Sequence, residues 1–273
     1  LMTVKRKSGR LSFALFRGFT SAQRRFNRLM DTVSNKLVSY CLAKRFGSRI
    51  CYQCISNGIE NNQLRWQQSK SDIRLSVVIV TYHQELALDC LLMSLQCQTL
   101  QNFEIIVLHD GLNERTRILM DKYKAIMSNR CRYVETTIRY NDYGHTLRDL
   151  GIREANGEYI LITNGDNYYS PRCFEFVFDA VNKFDLSLVM WNMVHSHGNA
   201  GGMASAACSP FTVFPFRGRL DIGAFLVKRM LATEVGFRDK SHDGDASYFE
   251  DLLEHTTRTV RIGKIARTLM VHN

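Results

Sequence analysis

The sequence lacks any apolar run long enough to cross a bilayer. A transmembrane helix needs about 20 consecutive apolar residues, and polar residues interrupt every apolar stretch of this 273-residue chain far short of that length. The opening LMTVKRKSGR is basic, but no uninterrupted apolar core or small-residue cleavage site follows it, so a secretory signal is not expected. We therefore predict a cytoplasmic protein, either free or peripheral at the cytoplasmic face of a membrane.

The sequence also lacks a cysteine framework, although it contains eight cysteines. Only Cys51 and Cys54 form a CxxC pair, and neither a second pair nor two histidines at zinc-finger spacing accompany it. A structural zinc site is therefore not expected. We predict reduced thiols, as in a cytosolic protein.

Acidic residues are scarce in the first quarter of the chain. Residues 1–72 contain 14 Lys and Arg against 3 Asp and Glu, whereas residues 73–273 contain 22 against 23. The formal net charge of +10 thus belongs to one appendage, whose partner is a nucleic acid, an anionic membrane or an acidic protein. Interleaved aromatic residues and recognised nucleic-acid-binding modules are missing, so nucleic acid is the least favoured of the three.

The appendage carries apolar residues at helical spacing, which predicts two basic amphipathic helices within residues 11–46. The apolar positions are Leu11, Leu15, Phe19, Phe26, Leu29, Met30, Val33, Leu37, Tyr40 and Cys41. Such helices are suited to lie on an anionic leaflet as a peripheral membrane contact. They are equally suited to pack on the main domain or on another copy of the chain in a homo-oligomer. Residues 47–72 are predicted to be a linker.

From residue 75 onward, apolar runs of strand length alternate with amphipathic helices. The predicted strands cover residues 76–82, 103–108, 133–134, 159–163, 186–191 and 222–227, with a last strand ending at 272–273. The predicted helices cover residues 85–97, a segment with Ile118, Leu119, Tyr123, Ile126 and Met127 on one face, residues 146–156, a segment opened by Pro171, and residues 228–234. This alternation predicts an α/β fold with a mostly parallel, Rossmann-like central sheet flanked by helices.

Polar side chains lie at the carboxyl ends of three of the predicted strands. They are Thr81 and Tyr82, His109 and Asp110, and the run Asn164-Gly165-Asp166. Each group alone is compatible with an ordinary turn. Because ligands of open α/β sheets bind at the carboxyl ends of the strands, we expect the three groups to converge on one crevice.

The second half of the chain offers further polar candidates. Residues 192–208, rich in Gly, Ala, Ser and His, predict a loop near the site. His195 and His197 are interpreted as substrate contacts, since two histidines in a Gly-rich loop are weak evidence for a metal site. Glu250 and Asp251 are predicted to enter a helix, where acidic residues are favoured by the helix dipole alone.

Taken in order, these segments resemble a family 2 glycosyltransferase of the GT-A fold over roughly residues 75–273. Thr81, Tyr82 and Glu85 lie in a segment similar to "VSVIIPTYNRE", residues 103–111 are similar to "EIIVVDDGS", and Gly144, Arg148, Gly151, Ile152, Ala155, Gly157, Glu158 and Tyr159 are similar to "GxxxARNxGIxxAxGEYI". Asn164-Gly165-Asp166 stands at the DxD motif of the family, Glu250-Asp251 resembles its ED pair, and His272 stands where many GT-A enzymes have a metal-binding histidine. No single motif is specific, whereas the ordered set is.

The resemblance implies an inverting, metal-dependent glycosyltransferase. Such an enzyme moves a sugar from a nucleotide-sugar donor, here with a UDP-sugar favoured, to a saccharide or lipid-linked acceptor in surface-glycan biosynthesis. Residues 73–183 would form the nucleotide-sugar-binding half of the domain, and residues 184–273 the acceptor-binding half. A divalent cation neutralises the diphosphate leaving group, with Mn²⁺ or Mg²⁺ as candidates.

The resemblance also assigns roles to individual residues. The implied metal ligands are Asp166, Asn164 and His272, and the imidazole favours manganese. The implied donor-binding residues are Thr81, Tyr82, Glu85, His109, Asp110, Arg148, Asn164, Gly165 and Asp166, with Arg148 at the diphosphate. Asp251 is the implied general base for the acceptor hydroxyl, with Glu250 as runner-up.

Two residues depart from the family pattern. His109 replaces the first Asp of "DD", and Asn164 replaces the first Asp of DxD, so each position loses a carboxylate. The mild consequence is an altered donor preference, and the severe one is loss of catalysis. The alternative function is therefore a catalytically impaired nucleotide-sugar-binding or assembly subunit.

Overall fold

The computed structural model describes residues 34–55, 73–127, 130–196, 208–256 and 258–273. Its helices are α1 (34–46), α2 (Glu85–Gln96), α3 (Glu114–Met127), α4 (His145–Glu154), α5 (Cys173–Phe184), α6 (Arg229–Val235) and α7 (Gly244–Glu254). Its strands are β1 (Ile50–Ile55), β2 (Leu75–Thr81), β3 (Phe103–His109), β4 (Cys131–Glu135), β5 (Tyr159–Asn164), β6 (Tyr168–Tyr169), β7 (Leu188–His195), β8 (Ser209–Phe211), β9 (Phe225–Lys228) and β10 (Val260–His272). The predicted helical positions before residue 34, the linker residues 56–72 and His197 lie outside the described residues.

All of these strands belong to one sheet. Its order is β1-β10-β7-β9-β5-β2-β3-β4, with β6 added to β10 and β8 added to β7. Along that order, β9 is antiparallel to its neighbours β5 and β7, and the other pairs are parallel. The predicted mostly parallel α/β sheet is therefore confirmed.

The burial of the central strands explains why apolar runs in the sequence predicted them. Every residue of β2 and β3 is buried, and so is every residue of β5 except its last, Asn164. A strand covered on both faces has no solvent side, so its sequence is a nearly continuous apolar run. Within the described residues, no helix combines the length and the apolar character needed to cross a bilayer.

The N-terminal boundary differs from the prediction. Residues 50–55 were expected in a linker, but they form β1, which pairs in parallel with β10 from Ile50 opposite Val260 to Ile55 opposite Ile265. Helix α1 is likewise anchored, because its apolar face is buried in the main core. The buried residues are Val38, Leu42 and Phe46. Of the two arrangements open for the basic helices, residues 34–46 adopt packing on the main domain.

Helix α3 buries only part of the face predicted, since Tyr123 and Met127 are buried and Leu119 packs on the core. Ile118 and Ile126 are 62% and 48% exposed, whereas Met120 and Tyr123 are fully buried. Ile118 and Ile126 recur at helical spacing as regularly as Met120, Tyr123 and Met127 do, so periodicity alone could not say which of them face the core. Tyr123 decides the orientation, since its hydroxyl donates to the Asp89 carboxylate of α2 at 2.6 Å.

Helix α7 begins earlier than predicted. Gly244 is its first residue, and Asp243 occupies the N-cap position. Glu250 and Asp251 therefore lie in the second half of the helix instead of at its entrance. The first-turn acid is Asp245.

Candidate functional site

The predicted convergence of the strand ends is present in the sheet register. Thr81 at the end of β2 pairs with His109 at the end of β3, and Val80 pairs with Asn164 at the end of β5. Gly165 follows directly and packs so closely that a Cβ atom on it would lie 2.7 Å from the Thr81 hydroxyl oxygen. Only glycine fits this approach, and it brings the Asn164-Gly165-Asp166 turn against the end of β2.

Asp110 anchors the loop that precedes α4. Its two carboxylate oxygens accept hydrogen bonds from the backbone amides of Tyr140, at 2.8 Å, and Asn141, at 3.1 Å. In this loop Asn141 and Tyr143 have positive φ angles of 54° and 60°, followed by Gly144 at 81°. Left-handed backbone at non-glycine residues is costly and concentrates at functional sites.

His109 is used within the chain. Its Nδ1 lies 2.8 Å from the carbonyl oxygen of Gly111, and its Nε2 accepts the backbone amide of His83 at 3.3 Å. A carbonyl oxygen only accepts, so Nδ1 carries the proton and the ring is neutral. The contact of His109 with a donor base stays a prediction, and within the chain the ring holds the turn at His83, which has a φ of 50°.

Tyr82 and Glu85 border the same crevice. The Tyr82 side chain is 38% exposed, and the Arg139 guanidinium lies 3.8 Å above the centre of its ring. Glu85 accepts a hydrogen bond from the Asn113 amide at 3.0 Å. Hydrogen bonds from its own backbone amide and from Asn113 lower the pKa of Glu85.

Arg148 is the buried cation of the site. Its Nη2 donates to Asn164 Oδ1 at 2.7 Å, and its Nη1 donates to Asp245 Oδ1 at 2.5 Å and to His145 Nδ1 at 2.6 Å. Arg148 as a whole is only 3% exposed. Arg148 therefore joins the end of β5 to the first turn of α7.

Asp166 and His272 carry buried polar atoms that the fold leaves unused. Asp166 Oδ2 accepts from Gln84 at 3.1 Å, whereas Asp166 Oδ1 and His272 Nδ1 are buried without a hydrogen-bond partner. The antiparallel pairing of β6 with β10 brings the turn that contains Asp166 beside the end of β10. His272 also lies next to Asp221, with 3.4 Å between Nδ1 and Oδ2.

These atoms decide which predicted ligands suit a divalent cation. Asp166 Oδ1 fits, because an ion would supply the partner that it lacks, and His272 Nδ1 fits because it makes no hydrogen bond, although the Asp221 carboxylate lies 3.4 Å away. Asn164 fits less well, because its carbonyl oxygen already accepts from the guanidinium of Arg148, whose charge would repel a cation. No group of three or more His, Cys, Asp or Glu suited to a metal occurs among the described residues, so an ion would take its remaining ligands from substrate phosphates, as Mg²⁺ usually does.

Asp221 is a site neighbour that sequence reasoning missed. Burial raises the pKa of this carboxyl, and its Oδ1 accepts the Gly223 amide at 2.8 Å. It lies directly before residues 222–227, the segment predicted as a strand, of which 225–228 form β9. No local sequence signal distinguishes it, because its neighbour His272 is 51 residues away along the chain.

Glu250 and Asp251 lie apart from the strand ends. Glu250 pairs with Arg217 at 2.7 Å, and Asp251 pairs with Arg238 at 2.9 Å and with His255 at 3.2 Å. Among the described residues, no hydrogen bond or ion pair joins either carboxylate to Asp110, Arg148 or Asp166. Along α7 they lie about 8 to 9 Å beyond Asp245.

Asp245, unlike Glu250 and Asp251, contacts a residue of the crevice. Its side chain is 40% exposed and lies beside Arg148 at the crevice. The available sequence signal was the start of α7, because Asp243 and Asp245 have the helix-cap and first-turn pattern.

Comparison with known sequences identifies related proteins. The family model of "Glycosyl transferase family 2" matches residues 76–240. The chain is 25% identical over 146 residues to the cholesterol galactosyltransferase of Borreliella burgdorferi, covering 54% of this chain and 39% of that protein. It is 29% identical over 130 residues to the glycosyltransferase GlyG of Streptococcus pneumoniae, covering 46% of this chain and 42% of that protein. The chain thus spans less than half the length of these relatives.

Comparison with solved structures confirms the GT-A fold. TarS residues 1–349 from S. aureus, solved with UDP, superpose with a TM-score of 0.60 at 16% identity, covering 73% of this chain and 60% of that one. The mannosyltransferase PcManGT from Pyrobaculum calidifontis, solved with GDP-Man and Mn²⁺, superposes with a TM-score of 0.59 at 14% identity, covering 86% of this chain and 68% of that one.

Proposed function

This chain belongs to glycosyl transferase family 2, and from that membership we propose that it moves a sugar from a nucleotide-sugar donor to a saccharide or lipid-linked acceptor with inversion of the anomeric centre. A UDP-sugar is the favoured donor, since TarS was solved with UDP. A role in surface-glycan synthesis is the broader proposal. The observation that supports sugar transfer from a nucleotide-sugar donor is the convergence of Thr81, Asn164 and Arg148 at the carboxyl edge of the sheet.

The donor is proposed to bind across the ends of β2, β3 and β5. Tyr82 and Arg139 offer a stacking surface for the base, and Asp110 fixes the loop behind it. Arg148 supplies positive charge toward the diphosphate. A bound divalent cation, Mn²⁺ or Mg²⁺, would further neutralise the leaving diphosphate, with Asp166 and His272 as the residues that would hold it.

Asp245 is proposed as the general base in place of Asp251. The acceptor hydroxyl must lose a proton as it attacks, and a carboxylate within hydrogen-bond reach accepts it. Asp245 is open to the crevice, and its Oδ1 is held by Arg148. Asp251 is turned toward Arg238 and His255.

Two variants of α7 test this assignment. Asp245→Asn should reduce sugar transfer by about 10²- to 10⁴-fold and leave donor affinity, measured by calorimetry, nearly unchanged. Asp251→Asn is the matched control and should retain transfer. The reverse pattern, a dead Asp251→Asn and an active Asp245→Asn, would return the role to Asp251.

A second candidate function is a non-catalytic nucleotide-sugar binder or assembly subunit. It is favoured by His109 and Asn164, which stand where the family pattern has carboxylates and whose polar atoms bond within the chain. Any donor hydrolysis or sugar transfer by the purified chain, abolished by Asp245→Asn, would eliminate this candidate.

Contact with an anionic membrane is proposed for the basic N-terminal segment. Helix α1 buries one face and leaves Leu37 and Tyr40 60% and 64% exposed, and eight Lys and Arg precede it within residues 1–33. Flotation on liposomes with and without anionic lipid tests the proposal. The full chain should float with anionic vesicles and a chain beginning at residue 34 should float less. Equal flotation of the two chains would refute the role of the basic segment.

A further inference from the structure

His145 opens α4 and is almost completely buried, at 1% exposure. Its Nε2 lies 2.8 Å from the carbonyl oxygen of Ser241, and its Nδ1 lies 2.6 Å from Nη1 of Arg148. A carbonyl oxygen can only accept and a guanidinium can only donate. One ring state satisfies both contacts, namely the neutral imidazole with its proton on Nε2.

The ring cannot easily turn away from this arrangement. One face stacks on Phe237, with ring centres 4.9 Å apart and planes inclined by 17°. Gly244 packs against the edge of the imidazole ring, and a Cβ atom added to this glycine would lie 2.6 Å from Nε2 of His145. Lys240 holds the backbone by donating to the carbonyl oxygen of His145 at 3.0 Å. The first residue of α7 is thus packed directly on the imidazole.

The contact with Nδ1 constrains the guanidinium of Arg148. The nitrogen atom that His145 accepts from, Nη1, also donates to Asp245, while Nη2 donates to Asn164. Since a guanidinium is planar, fixing Nη1 fixes the direction of both donors. The orientation of the Asp245 carboxylate therefore depends on an acceptor atom at the position of His145 Nδ1.

We propose that His145 is a positioning residue for sugar transfer, which aims Asp245 at the acceptor through Arg148. This proposal rests on the proposed function of Asp245 as the general base. His145 touches neither donor nor acceptor in this arrangement. Its contribution is to keep an unprotonated nitrogen facing Arg148.

The surroundings of the ring keep it neutral. Burial, and next the charge of Arg148, lower the pKa of His145. The charged and titratable groups that face it are Arg148 on its own helix, Asp142 and Tyr143 in the preceding loop, Asp239 and Lys240 in the loop before α7, and Asp245 on α7. Protonation of Nδ1 would place a second cation against Arg148 and break the hydrogen bond between them.

Two substitutions separate the two ring nitrogens. In His145→Asn the amide oxygen can take the place of Nδ1 and accept from Arg148, whereas in His145→Gln the longer side chain places its amide group near Nε2, toward Ser241. We expect kcat of His145→Gln to fall by about 10²-fold with an unchanged KM for the donor. We expect kcat of His145→Asn to stay within about fivefold of the unmodified chain. Equal losses in the two variants, or no loss in either, would overturn the proposal.

A measurement on the unmodified chain avoids any effect of substitution on folding. Long-range ¹⁵N–¹H spectra of chain labelled at histidine should show His145 as the Nε2-protonated neutral tautomer, and this form should persist below the usual titration range of histidine. A ring protonated on Nδ1 at neutral pH would overturn the proposal. Asp245→Asn is assayed in parallel: full activity in that variant would refute the proposed base, whereas a dead Asp245→Asn with equal His145 variants would refute only the positioning role.

Discussion

Glu104, at the start of β3, is a buried carboxylate that ties three segments together. Its Oε1 accepts from the Ser76 hydroxyl at 2.6 Å and from the Asn156 backbone amide at 2.7 Å, and its Oε2 accepts from Arg132 at 3.1 Å. Burial alone would raise the pKa of Glu104, but these hydrogen bonds and the Arg132 charge outweigh it, and the pKa is lowered. The ionised form is therefore the one that stabilises the fold.

The sign of the pH dependence follows from that lowered pKa. A carboxyl whose folded pKa lies below its unfolded value of about 4.3 contributes stability above the unfolded value and loses it as pH falls through the folded value. Glu104→Gln should reduce the free energy of unfolding by about 1–3 kcal/mol at pH 7, and the difference should shrink by pH 4. Urea denaturation at the two pH values measures both quantities.

Glu154 provides the control for Glu104. It contacts the same Arg132 at 3.3 Å, but its side chain is 48% exposed. An exposed ion pair contributes little to stability, so Glu154→Gln should change the free energy of unfolding by less than about 0.5 kcal/mol. Similar losses of unfolding free energy in the two variants would show that the burial of Glu104 does not determine its contribution to stability.

Some site residues can be predicted from the sequence next to them, and others depend on a partner that is distant along the chain. Thr81, Asp110 and Asp166 were predicted because each lies at the end of an apolar strand or within two residues after it, and the sequence shows where such strands end. Asp245 was not, because its partner Arg148 lies 97 residues away. The string Glu250-Asp251 resembled the family pair more directly, although its side chains face other cations.

Among the elements, α1 and β1 close one edge of the sheet. β1 covers the edge of β10 along six residue pairs, and the Arg49 guanidinium donates to the carbonyl oxygen of Thr256 at 3.2 Å. An uncovered edge strand invites pairing with other chains. Residues 34–55 are thus part of the folded domain.

Truncation distinguishes this arrangement from the predicted linker. A chain beginning at residue 34 should keep the thermal midpoint of the full chain within a few degrees. A chain beginning at residue 73 should melt at lower temperature or aggregate, because it exposes β10 and the pockets for Val38, Leu42 and Phe46. Differential scanning calorimetry and light scattering compare the two, and equal stability of both chains would contradict the role of β1.

β1 shows why some elements cannot be predicted from the local sequence. Its sequence ICYQCI alternates weakly and borders a polar stretch, so nothing local separates it from a linker. The central strands β2, β3 and β5 were readable because burial on both faces leaves almost no polar residue in them. The order of the sheet, with β10 between β1 and β7, depends on pairings between distant segments and has no local signature.

The molecule as a whole combines a fold shared with other glycosyltransferases and a particular set of side chains at the carboxyl edge of its sheet. The family membership and the GT-A fold are shown by the comparisons, whereas the donor, the acceptor and the roles of Asp245, Asp166 and His145 are proposals. All of them require one property, namely that the carboxyl edge of the sheet accepts a nucleotide sugar.

Calorimetric titration of UDP-, GDP- and dTDP-sugars in the presence of Mn²⁺ tests that property most directly. We expect saturable binding of at least one donor, favouring a UDP-sugar. Asp166→Ala should lose affinity clearly while circular dichroism shows that its fold is retained. Absence of binding by every sugar nucleotide in the panel, or binding that Asp166→Ala leaves unchanged, would contradict it.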